Sequence, residues 1–258
     1  MIRALLWDVD GTLAETERHG HLSAFNRAFA EAGVPWRWSE ARYGELLRVT
    51  GGCERLLFDM ASQPAAPPDE RARTALAAEL HRLKSRHYEA IIDTGQLPLR
   101  PGVAELLEDC ACAGVTLAVV TTTSRGNVEA LLGRHLGARW RERFATLVCA
   151  EEAPRKKPDP QAYQLALADL ALESDAVVAM EDSPAGVEAA RRAAVRVVLT
   201  RSYYFADTPA GEGVLAAGPS LGDPCGWSPG LSGAAPRVSL GEIERWREFP
   251  LAASARGD

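Results

Sequence analysis

The chain has 258 residues, 47% of them hydrophobic, with 29 Lys and Arg against 35 Asp and Glu for a formal net charge of -6. This composition supports a sizeable buried core rather than disorder, and the negative balance argues against nucleic-acid binding, which needs a positive field over phosphate. The five cysteines (Cys53, Cys110, Cys112, Cys149, Cys225) are scattered and imply no disulfide framework, and no apolar stretch matches a signal peptide or a membrane span, so a soluble, cytoplasmic, monomeric protein without a membrane partner is expected.

In chain order, the first apolar run is Ile2 to Val9, ending in an Asp-Gly turn signal. About a hundred residues without a convincing strand follow. Glu15 to Ala32 reads as a helix with Leu22, Phe25, Phe29 and Ala32 on one face. Ser39 to Val49 reads as a second, closed by Thr50-Gly51-Gly52, and Asp69 to Ile92 as a third, preceded by the breaker cluster Pro64 to Pro68. Arg100-Pro101-Gly102 opens another helix, Val103 to Ala113, which feeds a second apolar run, Val115 to Thr121. Further runs are Thr146 to Ala150, Val177 to Met180 and Val195 to Thr200. Continuous rather than alternating apolar runs predict strands covered on both faces, hence a parallel sheet. The fold class is α/β: a Rossmann-like core from residues 1–14 and 98–258, with a small helical domain, residues 15–97, inserted after the first strand. Beyond Leu199, a Gly/Pro-rich stretch holds one weak strand at Gly213 to Ala217. A last helix follows, capped by Ser239 and carrying Leu240, Ile243 and Trp246, and the final residues read as frayed.

Chemistry-bearing residues recur at the strand ends, where open α/β sheets place their ligands. Asp8 and Asp10 end the first strand, and Gly11 lets the chain turn so that Asp10 bends back over the site. Asp8 is then a candidate nucleophile on phosphorus and Asp10 a candidate general acid and base; a solvated Asp-Gly turn is the alternative. A carboxylate attacks a phosphate dianion only where cations offset the charge. Thr121-Thr122-Thr123-Ser124 at the second strand end offers a phosphate cradle or a helix cap. Lys157, before Pro158, offers an ammonium, or is one of a solvated lysine pair. Glu181 and Asp182 end the fourth strand, where an acidic pair binds a hard cation such as Mg²⁺, or else Asp182 or Ser183 caps the helix at Pro184 to Ala194.

The ordered set Asp8-x-Asp10-Gly11-Thr12, Thr121, Lys157-Pro158 and Glu181-Asp182 resembles the haloacid dehalogenase superfamily of phosphotransferases. The resemblance implies Asp8 as nucleophile, Asp10 as acid/base, and Mg²⁺ on Asp8, the Asp10 carbonyl and Asp182 with Glu181 nearby. It also implies Thr121 and Thr122 on the transferring phosphate, and Lys157 bridging Asp8 and phosphate. The helical insert is similar to the cap of the β-phosphoglucomutase subgroup. Glu15-Thr16-Glu17, Gly20-His21, Thr50-Gly51-Gly52 with Glu54-Arg55, His81 to Lys84, Arg100-Pro101-Gly102 and Arg201 to Tyr204 are similar to its CbbY branch, phosphatases of xylulose 1,5-bisphosphate. By that resemblance Glu17, His21, Gly51, Gly52, Arg55 and Lys84 contact a small phosphorylated sugar and its distal phosphate. The chain departs from the branch at Cys53, where the branch has a lysine. A sugar-phosphate mutase with the same core chemistry is the enzymatic alternative. A non-catalytic phosphate-binding module is the other, although a binder has no need of Asp10.

Overall fold

A computed structural model describes residues 1–63 and 65–249; Pro64 of the breaker cluster and residues 250–258, read as frayed, lie outside them. Six strands form one parallel sheet: β1 (Ala4–Trp7), β2 (Thr116–Val120), β3 (Thr146–Val148), β4 (Val177–Glu181), β5 (Arg196–Thr200) and β6 (Val214–Gly218), in the order β3-β2-β1-β4-β5-β6. Strand side chains alternate between faces, and both faces are buried. Leu5, Trp7, Val119 and Met180 face one apolar cluster, while Ala4, Leu6, Val120 and Ala179 face the other. That is why these strands read as continuous apolar runs. After β3 the chain crosses to the far side of β1, so β1 and β4 become neighbours with Trp7 opposite Met180. This switch point is where the α/β architecture opens a crevice. It sets Asp8, one residue past β1, beside Glu181 and Asp182.

Helices follow the strands. On one face α5 (Val103–Ala113), α6 (Arg125–Leu136) and α9 (Leu240–Glu248) contribute Leu106, Leu131 and Trp246; on the other, α7 (Gln161–Leu170) and α8 (Pro184–Arg192) contribute Tyr163 and Ala189. The insert after β1 holds α1 (Leu22–Glu31), α2 (Glu40–Leu46), α3 (Gly52–Met60) and α4 (Glu70–Asp93). Its apolar cluster is its own, built on Phe25, Phe29, Trp38, Tyr43, Leu56 and Leu80. The chain leaves and re-enters the sheet at adjacent points, where Ala14 bridges Leu99 and the Arg100 N–H donates to the Leu13 carbonyl at 2.8 Å.

Three readings change here. The first helix starts at Leu22, preceded by a single π-helical turn, Glu17–His21, and it ends before Ala32, which is exposed. The wide turn has a cause: Thr16 and His21 are both tied to Asp10. Gly51-Gly52 does not merely stop α2; Gly51 is the N-cap of α3, a helix absent from the sequence reading because two glycines signal a break. The Gly/Pro-rich stretch also has a structural role. It completes the sheet with β6, and Trp227 then lies 5.1 Å from Trp246 in a stacked pair over the apolar face. Arg237 grips Asp109 of α5 with two 2.8 Å bonds. Buried Arg100 ties the loops together, donating to the carbonyls of Gly11, Thr200, Arg201 and Pro219. Among the described residues no helix is long and apolar enough to cross a membrane.

Candidate active site

The strand ends converge. Lys157, 3% exposed, sends its ammonium to Asp8 Oδ1 at 2.7 Å, to Glu181 Oε1 at 2.6 Å and to the Val120 carbonyl at 2.8 Å. The Tyr163 hydroxyl donates to the same Glu181 oxygen at 2.5 Å. Ser183, not Asp182, caps α8 by accepting from the Gly186 N–H at 3.1 Å. Asp182 is thereby free of capping and instead accepts from Ser202 Oγ at 2.5 Å. Two glycines make room. At Gly11 (φ +84°) a Cβ would sit 2.1 Å from Asp182 Oδ2, and at Gly186 one would sit 1.8 Å from Glu181 Oε2.

Carboxylate oxygens of Asp8, Glu181 and Asp182 lie within 4.8 Å of one another, all buried. One ammonium cannot offset three carboxylates. Burial pushes the Asp8 carboxyl up to about 7 despite Lys157, with Glu181 adding to the rise. Burial also raises Asp182, and Asp8 beside it raises it further. Lys157 is raised as well, because Asp8 and Glu181 together outweigh the cost of burying its charge. The two partners of the Asp8–Lys157 pair thus report one fact: the cluster is short of positive charge. Glu181 Oε2 is buried without a hydrogen-bond partner. Three hard oxygen donors, a charge deficit and an unpartnered carboxylate oxygen fit a small divalent cation such as Mg²⁺.

Asp10 is in a different state. Its Oδ1 accepts from Thr16 Oγ1 at 2.5 Å and meets His21 Nε2 at 2.8 Å. Burial would raise its pKa, but His21, Thr16 and Lys84 outweigh burial and hold Asp10 well below the usual carboxylate range. Two carboxyls two residues apart thus have opposite environments; a cation beside Asp8 and a phosphate beside Asp10 would each reverse the shift, toward the ionised nucleophile and protonated acid that such a pair needs.

Above these groups the cavity has two lobes that share Asp10, Glu17, Arg55 and Thr122. The lobe of about 340 Å³ holds Asp8, Thr121, Lys157 and Asp182. The lobe of about 170 Å³ holds His21, Gly51, Gly52, Cys53, His81, Lys84 and Lys156. Of the residues given a catalytic, metal or substrate role in the sequence, all but Glu181 line this cavity, and Glu181 is fully buried against Lys157. Lys84 is 4% exposed and makes no hydrogen bond or ion pair among the described residues; its ammonium sits 5.4 and 5.2 Å from the ring centres of Phe25 and Tyr88. Burial pulls it down to about 8, against the opposing pull of Asp10 and Glu17. Burial, with Lys84 nearby, takes His81 down to about 4. Lys156 is committed to the carbonyls of Ala150 and Ala153. Arg55 is half committed, with Nε on the Leu46 carbonyl at 3.3 Å and Nη1 on the Tyr43 hydroxyl at 2.9 Å.

Sequence reasoning assigned no site role to Thr16, Ser202, Tyr163 or Tyr43. Thr16 and Ser202 fall within stretches noted for the family resemblance, but a lone hydroxyl gives no signal of which carboxylate it will serve. Tyr43 and Tyr163 sit at core positions of α2 and α7, where an aromatic ring needs no further explanation.

Residues 2–194 match the family model described as haloacid dehalogenase-like hydrolase. Protein CbbY of Cupriavidus necator is 42% identical over 253 residues, 97% of this chain and 98% of that protein. A crystal structure of CbbY from Rhodobacter sphaeroides with phosphate superimposes with a TM-score of 0.82 at 36% identity, covering 95% of this chain and 100% of the other. A CbbY variant from the same organism, in complex with xylulose-(1,5)bisphosphate, gives 0.77 at 39% identity, covering 83% and 93%.

Proposed function

The chain belongs to the haloacid dehalogenase-like hydrolase family, and from that premise we propose that it is a Mg²⁺-dependent sugar-phosphate phosphatase working through an aspartyl-phosphate on Asp8. The observation that carries this reading is the buried set Asp8, Lys157, Glu181 and Asp182, a carboxylate nucleophile held beside one ammonium and a two-acid cation site. Asp8, Asp182 and the Asp10 carbonyl, with Glu181 behind, would hold Mg²⁺, which when bound would supply the positive charge that lets a carboxylate approach a phosphate dianion. Asp8 attacks phosphorus, and the bond from phosphorus to the sugar oxygen breaks. The leaving oxygen takes its electron pair and a proton from Asp10. Phosphate beside Asp10 raises its pKa and so favours the protonated form this step needs. Once the sugar alcohol has left, the ionised Asp10 held by Thr16 and His21 takes a proton from water. That water displaces Asp8 from phosphorus, and inorganic phosphate departs. Lys157 binds Asp8 and the transferring phosphate throughout, while Thr121 and Thr122 hold the phosphate oxygens.

The substrate we favour is a sugar bisphosphate of the kind in the CbbY complex. The basic lobe, with Lys84 and the second edge of Arg55, is the place for its distal phosphate, and Glu17, His21, Gly51 and Gly52 contact the sugar. Xylulose 1,5-bisphosphate with Mg²⁺ should release inorganic phosphate without net isomerisation, and EDTA should cut the rate by roughly 10²-fold or more. Isomerised bisphosphate without free phosphate would instead identify a mutase. Undiminished hydrolysis in EDTA would remove the metal from the mechanism.

Lys84 gives a pH prediction. Its ammonium is present below about 8 and lost above it. For a bisphosphate, kcat/KM should therefore fall roughly tenfold between pH 7 and pH 9. In Lys84→Arg the cation persists, and the alkaline fall should move upward by at least about one pH unit. An unmoved limb would mean that another group titrates.

A further inference from the structure

We infer that Tyr43 is the positioning residue that fixes Glu17 as a reader of substrate hydroxyls and thereby sets selectivity for polyol phosphates; this rests on the sugar-phosphatase reading above. Tyr43 lies in α2 and is fully buried in the cap cluster. Its position predicts only packing, yet its hydroxyl joins two cavity residues. It accepts from Arg55 Nη1 at 2.9 Å and donates to Glu17 Oε2 at 2.5 Å. A phenol has one proton to give. With a guanidinium on its acceptor side, it must give that proton to Glu17, whose Oε2 is therefore the acceptor. Burial, with Glu17 adding to its effect, raises the phenol well above its ordinary pKa, so it stays a donor through the neutral range.

The ring has little freedom. Phe25, Trp38 and Tyr204 pack around it at 6.2, 5.8 and 5.8 Å between centres, and the Arg55 guanidinium lies 5.1 Å from its centre. A rigid donor thus holds one oxygen of Glu17. The other, Oε1, makes no hydrogen bond among the described residues, and Glu17 lines both lobes. A carboxylate oxygen held in a cavity that it shares with Asp10 and Thr122 wants a donor, and the hydroxyls of a sugar phosphate are donors. A phosphate ester without hydroxyls offers Glu17 nothing. Loss of the phenol proton would free Glu17 to turn toward Arg55, taking the acceptor away from the sugar while leaving Asp8, Lys157 and Asp182 as they are.

The test compares xylulose 1,5-bisphosphate with p-nitrophenyl phosphate, which carries no hydroxyl, in the Mg²⁺-loaded full chain. Tyr43→Phe keeps the ring and removes one oxygen. It should lower the ratio of kcat/KM for the bisphosphate to that for the aryl phosphate roughly tenfold, chiefly through KM. In a Glu17→Gln background the same substitution should move that ratio less than about twofold, because the residue through which Tyr43 acts is already altered. Equal losses on both substrates would mark Tyr43 as a packing residue and overturn the inference, as would losses that multiply in the double variant. If the unaltered chain hydrolyses neither phosphate, the phosphatase reading falls and this inference falls with it. If it hydrolyses both and Tyr43→Phe leaves the ratio in place, this inference alone falls.

Discussion

Asp8→Asn should lower turnover on the order of 10⁴-fold while leaving the metal-free protein at least as stable as the unaltered chain. The first half follows from chemistry, since a carboxamide cannot form an acyl phosphate. The second follows from charge. Asp8 shares a buried site with Glu181 and Asp182, and only Lys157 opposes the three. Its folded-state carboxyl is raised from 3.8 to about 7, so the sign is as follows. The contribution of a raised carboxyl is fully present below about 3.8 and is lost as pH rises through about 7. A neutral amide has no such loss. In EDTA, the melting temperature of Asp8→Asn should draw level with or exceed that of the unaltered chain by pH 8, where the latter carries the surplus charge. Lys157 keeps Glu181 as a partner, so no orphaned ammonium counters the gain. Phosphate release and thermal melts across pH check the two halves separately. Turnover within about tenfold of the unaltered chain would end the aspartyl-phosphate mechanism. Clear destabilisation at pH 8 would show that Asp8 is instead a structural acid paired with Lys157.

Both halves depend on residues of very different legibility in the sequence. Asp8, Thr121, Lys157 and Asp182 were readable because each closes or follows an apolar strand, and a parallel sheet brings successive strand ends to one edge whatever the loops do. Helices α4 and α5 were readable from periodicity, and Ser183 before Pro184 was readable as a cap. The partners that set the charge states were not. Thr16 reaches Asp10 from the N-cap of a π-helical turn, and no local pattern distinguishes that turn from the start of α1. Ser202 reaches Asp182 across neighbouring loops, and Tyr163 reaches Glu181 from beneath the sheet. These contacts are made through space between segments whose separation in sequence carries no period. The helix α3 was hidden for another reason: Gly51 and Gly52 break local propensity, and only the packing of Leu56 and Met60 into the apolar cluster of the helical insert restores the helix. The Gly/Pro-rich stretch after β5 was opaque because its order comes from Trp227 on Trp246 and Arg237 on Asp109, pairs that no local pattern connects.

Lys157→Met tests the same cluster from its positive side, and here stability should fall. Methionine matches the lysine stem in length and apolar volume, so packing is nearly kept and the charge alone is removed. The ammonium is buried, with Asp8 at 2.7 Å, Glu181 at 2.6 Å and the Val120 carbonyl at 2.8 Å. Taking it away leaves carboxylates facing one another without a cation, and removing one partner of a buried pair costs about 3–5 kcal/mol. Urea melts in EDTA at pH 8 should show a loss of that order, with turnover falling in parallel because Asp8 loses the cation that screens its approach to phosphate. Adding Glu181→Gln separates charge from packing. The second substitution removes one of the orphaned charges and keeps an oxygen for the Tyr163 hydroxyl, so the double variant should recover part of the lost stability although it carries two changes. If the double variant is instead less stable by the sum of the single losses, Lys157 acts through its stem and its carbonyl contact, and the charge balance drawn for this site is wrong. Mg²⁺ should also raise the melting temperature of Lys157→Met more than that of the unaltered chain, since a cation is worth most where the last ammonium has gone. That gain should vanish in a Lys157→Met variant that also carries Asp182→Asn, because the cation site then lacks one of its acids.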